Sequence, residues 1–65
     1  MEQRILMLVA SKLEERRQQL MEALGEGSPK DFAEYRYVCG TIRGLDTALS
    51  EINDLLRRVK EMDDE

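Results

Sequence analysis

Apolar residues fall at Tyr35, Val38, Ile42, Leu45, Leu49, Ile52, Leu56 and Val59, in an unbroken alternation of three- and four-residue steps. An average step of about 3.5 residues is the heptad period, and it predicts one long α-helix whose stripe packs on another helix along its length. A second stripe on the same segment, formed by Ala33, Tyr37, Gly40, Gly44, Ala48 and Leu55, lies about 120° away at roughly 100° per residue. Upstream, Leu6, Val9, Leu13, Leu20 and Leu24 share one face of an amphipathic helix, with Ile5 and Arg17 on its flanks. Met7 and Leu8 carry apolar surface round most of the circumference near its N-terminus, which suits more than one neighbour, whereas residues 14–19 are polar throughout.

The only strong punctuation is Gly25-Glu26-Gly27-Ser28-Pro29-Lys30-Asp31. Gly25 suits the left-handed conformation that ends a helix, Ser28 suits an N-cap, Pro29 the first helical position, and Asp31 the acid of a capping box. These signals predict a first helix over about residues 2–24, a hinge at 25–28, a second helix over about 29–61 and an acidic tail at 62–65. A connection this short favours an antiparallel hairpin. At 1.5 Å per residue the helices measure about 34 Å and about 50 Å, so the second overhangs the first.

Glycine inside a helix costs about 1 kcal/mol relative to alanine, so Gly40 and Gly44 predict either a close helix contact that offsets this loss, or a weak point or bend. In the simplest closed register Leu20 meets Ala33, Leu13 meets Gly40 and Val9 meets Gly44. Helix 1 then seats its large side chains in the small-residue groove of Ala33, Tyr37, Gly40, Gly44 and Ala48. Glu2 then lies opposite Glu51, leaving Ile52, Leu55, Leu56 and Val59 for another molecule. The heptad stripe serves either as the hairpin's own interior or, as this register favours, as an intermolecular interface.

The chain of 65 residues forms one domain at most, at a size where a single core is marginal. Its one cysteine, Cys39, cannot form an internal disulfide, and with no histidine there is no zinc constellation. The same inventory argues against an enzyme: Cys39 has no imidazole partner and reads as a small packing residue, and no serine has a recognisable base nearby. Gly40 and Gly44 sit inside a helical pattern and form no phosphate loop. The acidic terminus is a weak, unspecific cation ligand set, and no cofactor is expected. Arg57, Arg58 and Lys60 suit the negative end of the helix dipole, with Asp54 and Arg58 at the spacing of a stabilising pair.

A net charge of −4 argues against nucleic-acid binding, which needs an excess of Lys and Arg to displace phosphate counterions. Residues 1–25 carry four basic and four acidic side chains and residues 26–65 carry six and ten, so the acidity lies in the second half. The apolar run from Ile5 to Ala10 is too short for a bilayer span and leads to no cleavage site, so no membrane association is expected and a cytoplasmic location is.

The segment Lys30-Asp31-Phe32-Ala33-Glu34-Tyr35-Arg36-Tyr37-Val38-Cys39-Gly40-Thr41-Ile42-Arg43-Gly44-Leu45 resembles small two-helix proteins of tailed bacteriophages, which share an acidic-aromatic start, Tyr-Arg, Cys-Gly and a later Gly-Leu. It covers about a quarter of the chain and carries no catalytic role. The resemblance implies a virion-associated or assembly protein at a capsid, portal or tail. The expectation is thus an all-α antiparallel helical hairpin, its long second helix bearing a heptad seam, that self-associates into an oligomer or docks on a larger assembly. The alternative is a small acidic regulator that binds and inhibits a host or phage protein.

Overall fold

The computed structural model describes residues 3–63 and consists there of two α-helices, α1 (Gln3–Gly25) and α2 (Phe32–Asp63), packed against each other. The expected helix start at Glu2 and the tail residues Asp64 and Glu65 lie outside the described residues, while α2 runs through Met62 to Asp63. The molecule measures 52 × 15 × 14 Å. Its Cα radius of gyration of 15.1 Å exceeds the roughly 11 Å of a compact domain this size.

The hinge lies later than Gly25 and Ser28 suggest. Helix α1 closes in a Schellman motif: the Ser28 amide donates to the Ala23 carbonyl at 3.0 Å and the Gly27 amide to the Leu24 carbonyl at 3.1 Å. Gly27, at φ 76°, supplies the left-handed residue, a conformation that side chains resist. Ser28 therefore belongs to the end of α1 and does not cap α2. The N-cap is Asp31, whose Oδ1 accepts the Glu34 amide at 2.8 Å, while Glu34 Oε2 reaches back to the Lys30 amide at 2.7 Å. This is a capping box displaced one residue on its return bond, and it starts α2 three residues after Pro29.

The heptad stripe forms the hairpin's interior. Ile42 and Leu49 are buried, and Val38, Leu45, Ile52, Leu56 and Val59 are half-buried, with Tyr35 more open at the hinge end. On α1 the facing positions are Gln3, Leu6, Ala10, Leu13, Arg17, Leu20 and Leu24, with Leu6 and Ala10 buried and the rest half-buried. These too are spaced by alternating threes and fours, so two heptad faces mesh. Val9, expected inside, is exposed, and Ala10 takes its place.

Register follows from Arg17, which occupies a seam position and directs its Nε to Asp46 Oδ1 at 2.5 Å. Counting outward along antiparallel helices from this pair brings Gln3 level with Lys60. Helix α1 therefore reaches the whole seam. The expectation that Ile52, Leu55, Leu56 and Val59 lie beyond the reach of α1 is not met: Ile52, Leu56 and Val59 are half-buried, and of the four only Leu55 stays exposed.

Candidate interaction surface

With the seam turned inward, one flank of the hairpin carries a polar cleft, with exposed Met7 and Met21 two turns either side of Glu14. Glu14, Gln18, Ser50, Asn53 and Arg57 line one shallow cleft together with the Arg17–Asp46 pair. Asp54 pairs with Arg57 here, one residue nearer than the Arg58 expected from spacing. Side chains nine residues apart on a helix point in opposite directions, because nine steps of roughly 100° amount to two and a half turns. Glu14 and Gln18 on one side thus place Ile5 and Val9 on the other. Asp46, Asn53 and Arg57 likewise place Leu55, Gly44 and Ala48 opposite the cleft.

That opposite side is apolar and open. Ile5 is 53% exposed, Val9 43% and Leu55 43%, and Met62 also stands clear. Leu8, 61% exposed, points away from α2 altogether. Of the small-residue stripe Tyr37, Gly44 and Ala48 lie along this side, while Ala33 and Gly40, nine residues before the buried Ile42 and Leu49, point away from α1, and the stripe's contact with α1 is not formed. Ala33, Tyr37, Gly40 and Gly44 are exposed, and only Ala48 is half-buried. A Cβ built at Gly40 or Gly44 would meet nothing within 4 Å. The groove fails to seat α1 because the larger apolar residues of the heptad stripe bury more surface, so they take the inner position. The bland reading of the glycines, as tolerated weak points, describes their state in the single chain. The helix is continuous across them, and Thr41 and Thr47 hydroxyls donate to the carbonyls of Tyr37 and Arg43 at 3.0 and 3.1 Å.

At the hinge end Phe32 and Tyr35 stack with ring centroids 6.1 Å apart, and the Arg36 guanidinium lies 5.9 Å from the Phe32 ring centre. The Tyr35 phenol titrates above its ordinary range, chiefly through its hydrogen bond to the Cys39 thiol one turn on. Cys39 is half-buried and unpaired by any disulfide. Among the described residues no group of three or more His, Cys, Asp or Glu side chains gathers to hold a metal ion. Among them, too, no helix is long and apolar enough to cross a membrane. Comparison with known proteins finds no matching family model, no matching curated sequence and no matching solved structure.

The surface the hairpin leaves uncovered is large for its mass. A compact 7.6 kDa monomer exposes about 4,300 Å², whereas this chain exposes 5387 Å², an excess of about 1,100 Å². Among the described residues four apolar side chains, Leu6, Ala10, Ile42 and Leu49, form the buried core, and no large side chain is fully enclosed. The arrangement offers packing surface.

Proposed function

We propose that this chain is a non-enzymatic structural or assembly accessory protein of the phage virion type, acting through helix–helix packing. Its hairpin docks on further helices, supplied by copies of itself or by a larger assembly such as a capsid, portal or tail. The observation that carries this reading is the open apolar flank of Ile5, Val9 and Leu55 on a hairpin whose own core holds four buried apolar residues among those described. An exposed apolar patch backed by so little core is the mark of a surface completed by association. A host-cytoplasmic chain that becomes virion-associated fits the same reading.

The net charge of −4 also favours a second reading, a small acidic regulator that blocks a host or phage protein through the same flank. Quantitative mass spectrometry of purified particles separates the two. A structural component appears in a fixed stoichiometric ratio to the other particle proteins. Its absence from particles, with recovery instead in a complex with one soluble protein, overturns the structural reading in favour of the regulator.

A further inference from the structure

We infer that the apolar flank is covered by a second copy of this chain, related by a two-fold axis parallel to the long dimension of the hairpin, so that α1 of each copy lies over α2 of the other. This deepens the assembly reading and rests on it, naming the surface, the partner and the geometry.

The exposed area is sufficient. A standard protein interface buries about 800 Å² per partner, a small share of the 5387 Å² that the elongated hairpin exposes. The seam cannot be the place, because α1 already occupies it from Gln3 onward. The cleft flank is the poorer choice: Met7 and Met21 are exposed on it, but between them it is lined by Glu14, Gln18, Asn53 and Arg57, whose desolvation would cost more than their packing returns. The flank carrying Ile5, Val9 and Leu55 remains.

Geometry and charge choose the orientation. The Arg17–Asp46 pair fixes which residues of the two helices lie level. Lys12 is five residues before Arg17 and Glu51 five after Asp46, so they stand at the same height on the two outer edges of this flank. Both are exposed, and among the described residues neither has an ion-pair partner within the chain. They are too far apart across the hairpin to meet each other. A two-fold rotation about the long axis sets one copy face down on the other and exchanges the left and right edges while keeping every height. It therefore brings Lys12 of each copy beside Glu51 of the other, twice per dimer. By the same operation Val9 of one copy comes level with Leu55 of its partner, and Ile5 fits between Leu55 and Val59. The contact has an apolar centre and an oppositely charged rim, the usual anatomy of an interface. Each helix then has antiparallel neighbours on both sides, the arrangement of a four-helix bundle. Gly44 and Ala48 lie on the same flank and leave space for the incoming backbone.

The test combines sedimentation with cross-linking in a Cys39→Ser background. The parent is expected to sediment as a dimer at high micromolar concentration. Val9→Asp with Leu55→Asp should weaken association by about a hundredfold or more while circular dichroism stays helical. Independently of any folding effect of those charges, chains carrying only Lys12→Cys are mixed with chains carrying only Glu51→Cys and oxidised. A mixed covalent dimer should dominate over the products of either chain alone. Gln18→Cys, on the cleft side, should give no such product with Glu51→Cys. A parent that associates while the Lys12→Cys and Glu51→Cys chains form no mixed disulfide, or that associates undiminished with both aspartates, overturns this interface and leaves the assembly reading standing. A parent that stays monomeric at all concentrations overturns the second copy as occupant. The assembly reading is then judged separately, by the composition of purified particles.

Discussion

The two stripes of α2 are built from the same kind of helix and have opposite fates. Ile42, Leu49 and their heptad neighbours are turned inward against α1, whereas Tyr37, Gly40 and Gly44, about a third of a turn round, face outward with nothing near the two glycines. The difference teaches that burial is decided by how much apolar surface a stripe can offer. A row of Ile, Leu and Val gains about 1.5–3 kcal/mol per side chain on burial, and glycine gains almost none. The inner stripe holds the hairpin shut. The outer one is left for use.

The comparison breaks most easily at its centre. Ile42→Asp places an unpaired charge in the seam and should cost at least about 3 kcal/mol, enough to abolish the helical circular dichroism of so small a core. The outer stripe should respond in the other sense. Because a Cβ at Gly40 meets nothing, Gly40→Ala should raise the thermal midpoint, by an amount corresponding to about 1 kcal/mol of helix propensity. A fall would mean that another helix lies against Gly40.

The hinge sharpens the same lesson on a local scale. Asp31→Ala removes the acceptor of the Glu34 amide and should cost about 1 kcal/mol, whereas Ser28→Ala should change the melting temperature little, since only the Ser28 backbone is engaged. Equal effects from the two would place the cap wrongly. Smallest of all is the surface pair that sets register: Asp46→Asn should cost no more than about 1 kcal/mol, less at high salt, because Arg17 and Asp46 are both substantially open to water.

Two helices, their antiparallel pairing and the long heptad stripe were all legible before any coordinates, because period and a short hinge reveal them. Register was not, and the reason lies on α1. Its inner face contains Gln3, Ala10 and Arg17, which weaken the apolar signal, while the outward Val9 imitates a core position. Arg17 sits in the seam because its long stem can lie along the interface while its head reaches Asp46, something a hydropathy pattern does not express. The hinge misled for a related reason. Ser28-Pro29 and Asp31-Phe32-Ala33-Glu34 both satisfy the rules for a helix start, and the choice between them is made by the Ser28 amide, already held by the Ala23 carbonyl.

Of the open flank little was readable: Met7 and Leu8 stand exposed on α1, but on its cleft side and its back, and the flank itself is formed by Ile5 and Val9. Periodicity puts Leu56 on the heptad stripe and Leu55 on the second one, but which stripe turns inward depends on the register. Their contrast gives the sharpest test of the account. Circular dichroism melts of Leu55→Asp and Leu56→Asp, taken at low protein concentration where association contributes least, compare adjacent residues on different faces. The account predicts that Leu56→Asp loses about 2–3 kcal/mol or more, because it lies in the seam, while Leu55→Asp keeps the parent's helicity and melting midpoint to within about 0.5 kcal/mol. Unfolding by Leu55→Asp alone, with Leu56→Asp tolerated, would contradict the inward seam and the open flank together.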